Sequence, residues 1–385
     1  MPSPIKLEDC LWLHGSHDTN PLCRPFVKEL QRRNIRTANT SQGIENLRKL
    51  LIKTDAHVVL LYMPPKETET LYPLFKERKN FSVLIVDWWV SPFWFTRHAE
   101  YVFYTLYSGI ATRLGARAFC NNYQPPFFSK PETMAKYHLA CAALRPLVAL
   151  AQPFLDWQKQ KLREDDDLKP ERMIFLPFSF EPEGLPLKEK RPVYDMGNLG
   201  DTCGYWRMRD PYASARYNFV NLYADRKKLA DSIIQYENNP FKVVDRRRGY
   251  FTWEAYCTAV AQSRFTMVTG GLLESCVPKY LEHACLGTPM VGTLLPYEYP
   301  WLDQCLFPID ALRLTPQEIK AKFLEALEHQ PRLRQNCLGL RDRLLKQYSP
   351  ASIFDLAQDQ INGKPIPPEY VKGDIKVGKK SVELS

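Results

Sequence analysis

Two carboxylates stand close behind a glycine pair in the 385-residue chain: Glu274 and Glu282, with seven residues between them, just after Gly270-Gly271. A glycine pair opening onto a helix N-terminus leaves backbone N–H groups uncovered at the positive end of the helix dipole, which makes a seat for phosphate. Eight steps of one continuous helix would set the glutamates about 80° apart. Glu274 precedes the helix, however, and is free to turn back over the loop. The pair can then face a sugar and a ribose on opposite sides of one diphosphate.

The surrounding residues must supply a strand, a loop, a helix and a second strand. Ser263 to Thr269 alternates apolar and polar residues before the glycines, the pattern of a strand delivered into a tight loop. Ser275 can cap the helix that follows, Pro278 is tolerated in its first turn, and Gly287 is placed to stop it. Leu281, Ala284 and Cys285 give that helix its buried stripe, whatever Glu282 does. Thr288-Pro289 opens the next strand. Lys279, one residue past the proline, adds a cation near the phosphate seat.

Glu274, Glu282 and the run His283-Ala284-Cys285-Leu286-Gly287-Thr288-Pro289-Met290-Val291 resemble the Glu-x7-Glu signature and the following segment of retaining GT-B glycosyltransferases. The likeness is to family four and its spore-maturation-type relatives. It implies two Rossmann-like α/β domains facing a cleft, with a UDP- or GDP-linked sugar held mainly by the second and a glycan or other hydroxyl acceptor by the first. Glu282 would bind the ribose hydroxyls, and Glu274 would lie by the donor sugar and the leaving diphosphate. The resemblance also implies a hexosyl- or pentosyltransferase that works without metal or resident cofactor, the nucleotide sugar being a substrate. In a retaining enzyme of this kind the leaving diphosphate takes the acceptor proton on the same face.

At 385 residues, with 45% apolar and 25% charged residues, the chain can build two domains, each with its own core. Ten cysteines stand singly, with no CxxC pair and no Cys/His cluster at zinc spacing, so reduced thiols in a cytoplasmic protein are expected, and no structural metal. The first residues lack the apolar core of a signal peptide, and no apolar run is long enough to span a bilayer. The net charge of +9 suits an anionic ligand, an anionic membrane surface or nucleic acid, and does not choose among them.

Strand and helix patterns alternate through the first half. Strands are expected at 9–13, 35–40, 56–63, 81–87 and 172–180, and helices at 21–33, 43–53 and 67–79. This predicts an open parallel sheet whose ligands sit beyond the strand C-termini. Two loops there carry chemistry. His14 and His17 follow the first strand, and Asp87-Trp88-Trp89-Val90-Ser91-Pro92-Phe93-Trp94-Phe95 follows a later one. Trp88, Trp89 and Trp94 could stack on sugar rings or nucleobases, or form an aromatic core. His14, His17 and Asp87 are candidates for proton transfer and for holding an acceptor hydroxyl. Residues 101–117 carry no clear pattern.

The Pro/Glu/Lys/Gly-rich stretch 181–192 marks a linker, which divides the chain into 1–187, 188–362 and a tail, 363–385, disordered or on the surface. The second domain opens with a strand ending in Gly197 and Gly200. Arg209 and Arg216 are the candidate phosphate cations, with Arg216 on a helix expected over 215–228. Further strands are expected at 241–245 and 306–309, a helix at 253–263, and two helices, 319–329 and 331–348, separated at Pro331.

Two other functions stay open on the residues alone. A nicotinamide-dependent oxidoreductase would need G-x-G-x-x-G after a strand, which Gly197-x-x-Gly200 does not match. A nucleic-acid-binding protein, or a transferase acting on modified bases in DNA, would use the positive charge and the tryptophan loop.

Overall fold

The fold is described from a computed structural model, which covers residues 5–15, 24–61, 80–85, 101–104, 173–177, 189–199, 224–234, 239–245, 251–269, 278–292, 299–370 (312 excepted), 375–377 and 380–382, with single positions between 71 and 78 and at 179 and 185. The first unit contains β1 (Leu11–His14), α1 (Arg24–Arg32), β2 (Thr37–Asn39), α2 (Ile44–Lys53), β3 (Val58–Leu61), β4 (Phe81–Ile85), β5 (Tyr101–Tyr104) and β6 (Met173–Phe175). Its six strands lie in the order β2-β1-β3-β4-β5-β6, all parallel. All four residues of β3, Val58-Val59-Leu60-Leu61, are buried, as a parallel strand covered on both faces requires. Leu47 and Leu51 of α2 join Leu11, Leu13, Leu60 and Phe81 in one core. β5 lies in a stretch whose sequence carries no clear pattern.

The second unit contains β7 (Tyr194–Asn198), α3 (Ala224–Ile233), β8 (Val243–Asp245), α4 (Trp253–Ala261), β9 (Ser263–Met267), α5 (Pro278–Cys285), β10 (Met290–Gly292), β11 (Leu306–Pro308) and α6 (Pro316–Gln347). Its five strands lie in the order β11-β10-β9-β7-β8, again all parallel. The described part of α3 runs five residues past the end predicted at 228, because Leu229, Ala230 and Ile233 bury against Met196 and Phe265.

Two predicted helices prove to be one, since α6 continues through Pro331. The amide that proline lacks would have bonded the Leu327 carbonyl four residues back. Arg264 of β9 takes over that carbonyl through Nη2 at 3.3 Å, and its Nη1 pairs with Asp195 at 3.3 Å.

The chain then returns to the first unit with α7 (Pro350–Ile361), β12 (Ile375–Val377) and β13 (Lys380–Val382), whereas the sequence assigned residues as far as 362 to the second domain. Ser349 caps α7 by accepting from Ser352 N, and Phe354 lies against Trp12 with ring centroids 5.8 Å apart. Arg33, just past the end of α1, sits 4.4 Å over the Phe354 ring and donates to Asp355 at 2.7 Å. Burial pushes the Glu29 carboxyl up, but hydrogen bonds from Arg32 and Arg33 outweigh this and hold it below its usual range. In the tail expected from 363 to be disordered or on the surface, residues 363–365 are exposed, Ile366 and Tyr370 are buried, and β12 and β13 pair antiparallel.

Each parallel sheet reverses its direction of growth once. In the first unit the chain steps from β1 outward to β2, then returns to lay β3 on the other flank of β1; in the second, β7 and β9 flank the equivalent point. Ligands of open α/β sheets bind beyond the strand C-termini at such reversals.

Two outcomes test this packing. Burial and the Arg78 charge push His57, whose Nε2 meets Ser82 Oγ at 2.7 Å, down to about 4 from 6.5. Between those values the unfolded chain binds the extra proton, so this group's stability contribution is full above pH 6.5 and falls as pH drops to about 4. Urea midpoints measured across that window should decline, and His57→Gln should flatten the decline. Arg264→Met, which strips the Leu327 carbonyl of its donor, should cost about 1 kcal/mol in thermal unfolding, with Arg264→Lys losing less.

Candidate functional site

Strand β9 leads to the site. Val268 and Thr269 continue it, both buried, and Val268 N donates to Val291 O at 3.0 Å. Gly292 permits this close approach, since a Cβ there would fall 1.7 Å from the Val268 carbonyl oxygen. Arg226, in the first turn of α3 and itself buried, donates from Nε to Thr269 Oγ1 at 2.8 Å and from Nη2 to Thr269 O at 3.2 Å. A buried guanidinium therefore grips the residue immediately before Gly270. At the neighbouring strand ends, Asn198 Nδ2 donates to Asp245 Oδ1 at 3.0 Å. The second unit thus gathers buried polar groups at the C-terminal edge of its sheet.

Helix α5 is fixed at its far end. Gly287, at φ 76°, lets Gly287 N reach Ala284 O and Thr288 N reach His283 O, both at 3.0 Å, the double closure of a Schellman motif. Arg341 of α6 donates from Nε to Cys285 O at 2.8 Å, placing a cation at the negative end of the dipole.

With α5 so held, Glu282 occupies a half-buried position beside α4. Thr252 caps α4 by accepting from Ala255 N at 3.2 Å, and the helix buries Tyr256, Cys257, Val260 and Ala261. Tyr256 OH lies 3.0 Å from Glu282 Oε2 and 2.8 Å from His283 Nε2, and His283 Nδ1 lies 2.8 Å from Thr266 Oγ1. No described residue bonds Glu282 Oε1. Burial and the Lys279 charge push His283 well below the usual histidine range, so it stands neutral near pH 7. Tyr256 stacks on half-exposed Trp253 at 5.4 Å, and Lys279 Nζ lies 5.2 Å from the Tyr256 ring centroid. Burial, with Glu282 beside it, pushes the Cys257 thiol up to about 12, which leaves it protonated and a poor nucleophile.

In the first unit His14 ends β1 at the sheet reversal and is buried. Its Nδ1 lies 3.1 Å from Gly15 O, and because a carbonyl only accepts, Nδ1 carries the proton and a neutral ring offers Nε2 as an acceptor.

Of the residues singled out from sequence, the structure brings Lys279 and Glu282 together on α5 and places His14 at the end of β1. Glu274, Gly270, Gly271, Gly200, Arg209, Arg216, Asp87, His17, Trp88, Trp89 and Trp94 lie outside the described residues. Sequence reasoning missed Arg226 and Tyr256. Arg226 sits in Asp225-Arg226-Lys227-Lys228, which reads as a solvated charge cluster. Tyr256 does share a helical stripe with Ala259 and Val260, which signals burial but not a polar partner. Among the described residues no group of three or more His, Cys, Asp or Glu could hold a metal ion, and no helix is long and apolar enough to cross a membrane.

Neither a protein-family model nor a curated protein matches the chain. Among solved structures it is similar to Alr3699/HepE of Anabaena in complex with UDP and glucose, with TM-score 0.47 and 9% identity over 92% of this chain and 99% of that one. The same protein in complex with UDP-glucose gives 0.46 and 9% over 91% and 98%. A glycosyltransferase from Rickettsia africae ESF-5 gives 0.44 and 9% over 92% and 99%. At that level of similarity the chemistry has to be read from this chain's own residues.

The helix that carries Glu282 depends on Gly287. Gly287→Ala forces a side chain into the left-handed region and within 2.6 Å of Leu338 on α6. It should cost about 1–2 kcal/mol, read as a lower urea midpoint at an unchanged m-value.

Proposed function

We propose that the chain is a glycosyltransferase that binds a nucleoside-diphosphate sugar in its second unit and passes the sugar to a hydroxyl acceptor. The observation that carries this reading is Glu282: a carboxylate with one oxygen tied to Tyr256 and the other unbonded by any described residue, on the helix that follows β9 and, in sequence, Gly270-Gly271. An acceptor-only group in that position suits the hydroxyls of a ribose.

The diphosphate would lie over Gly270-Gly271, where backbone N–H groups and the start of the helix favour negative charge. Arg226, through its hold on Thr269, would fix the point at which that loop departs, and Lys279 would add positive charge. As the bond to the sugar breaks, charge grows on the leaving diphosphate. Donors already in place stabilise that charge without reorganising. Glu274 would stand by the donor sugar, as the family resemblance implies. Retention of configuration and a UDP- or GDP-linked donor, handled without a metal, are part of the same proposal. The acceptor would be held by the first unit, where His14 ends β1, and, as the sequence suggests, Trp88, Trp89, Trp94, His17 and Asp87 would supply stacking and hydroxyl contacts. Arg209, Arg216 and Gly200 complete the proposed phosphate contacts.

Glu282→Ala should weaken nucleoside diphosphate binding by about 1.5–3 kcal/mol, the loss of a charge-assisted partner. Titration calorimetry with UDP and GDP measures this directly. Unchanged affinity in a folded variant would remove Glu282 from the site.

A further inference from the structure

Counting hydrogens along the buried chain beside Glu282 gives each of its members a fixed role. Tyr256 has one hydroxyl hydrogen, and its oxygen lies 3.0 Å from Glu282 Oε2 and 2.8 Å from His283 Nε2. A carboxylate can only accept, so that hydrogen goes to Glu282. His283 Nε2 must then carry its own hydrogen and donate to the tyrosine oxygen. A neutral His283 protonated on Nε2 leaves Nδ1 as an acceptor, and Thr266 Oγ1, 2.8 Å away on β9, must donate to it. Every donor in the series Thr266, His283, Tyr256, Glu282 therefore points toward the carboxylate.

Such a chain holds a side chain that would otherwise keep several rotamers, and it spends the tyrosine's only hydrogen on Oε2. Oε1 has no bond from a described residue. An anionic phosphate would be repelled there, whereas a hydroxyl brings a donor to it.

We propose that Tyr256, backed by His283 and Thr266, is a positioning residue that presents Glu282 to a ribose hydroxyl and makes the site prefer a ribonucleoside diphosphate to its 2′-deoxy analogue. This rests on the ribose-binding reading of Glu282 given above. Tyr256 acts through the carboxylate, and its effect is preorganisation. Removing its hydroxyl frees Glu282 to turn, so the preference should shrink while the ring packing against Trp253 persists.

The test has two arms. In the first, UDP, GDP, ADP and CDP are titrated into the full chain, and the tightest is compared with its 2′-deoxy form in the wild type and in Tyr256→Phe, thermal unfolding serving as the check on folding. Tyr256→Phe should weaken the ribonucleotide by about tenfold or more, as loss of one charge-assisted hydrogen bond implies, and the deoxy form by less than about twofold. Equal losses for both, or none for either, would reduce Tyr256 to a packing residue and overturn the proposal. In the second arm, nitrogen-15 NMR of histidine-labelled, ligand-free protein, with His283 assigned by comparison with His283→Gln, should show the Nε2–H tautomer. An Nδ1–H tautomer would reverse the chain and overturn the proposal. Should no nucleoside diphosphate bind the wild type, the functional reading and the ribose preference both fall. Should binding occur and depend on Glu282 but not on Tyr256, only the positioning role falls.

Discussion

Parallel pairing of β9 with β7 on one side and β10 on the other is the constraint from which the second unit follows. Parallel neighbours cannot be joined by a tight turn, so every step between them needs a crossover, and helices come to cover the sheet. The same pairing brings all strand C-termini to one edge. At that edge Asn198, Asp245, Thr269 and Arg226 are buried together, an arrangement that costs free energy unless their polar atoms are met. The bonds from Asn198 to Asp245 and from Arg226 to Thr269 meet part of that demand. The result is a rim of mutually bonded polar groups ending at Thr269, the residue before Gly270 in sequence.

Much of this was legible from residue order, because burial on both faces writes a plain signal. Val58-Val59-Leu60-Leu61 could hardly be anything but an inner strand, and Gly287 marked the end of α5 through its tolerance of positive φ. Lys279 and Glu282 were readable because glycine pattern and helix start fix their place. What escaped was anything set by contacts across long stretches of chain. Pro331 reads as a helix break, and only Arg264, 67 positions earlier, shows why the helix survives it. Arg226 reads as one charge among several, since nothing nearby in sequence announces Thr269. Tyr256 signals an apolar stripe, while its hydroxyl's partners lie 26 and 27 residues away.

The inner polar chain behind Glu282 also explains why buried histidine and threonine are tolerated in an otherwise apolar layer. His283 is wholly enclosed, and burying an imidazole without partners would be costly. With Thr266 on one nitrogen and Tyr256 on the other, both ring positions are satisfied. The penalty falls instead on a charged imidazolium, and this keeps the ring neutral. Cys257 and Cys285, both pushed up to about 12, show the same preference of this layer for uncharged forms.

The return of α7 to the first unit has a practical reach beyond its packing. Leu7 N donates to Gln358 Oε1 at 2.6 Å and Gln358 Nε2 donates to Ile5 O at 2.8 Å, so the segments on either side of the second unit are stitched to one another. In chain order, residues 182–347 of the second unit stand between segments of the first. One scission near the Pro-rich linker would therefore not yield two intact halves: the amino-terminal fragment would lose the helix that covers Trp12, and the other would carry Phe354 and its neighbours bare to water.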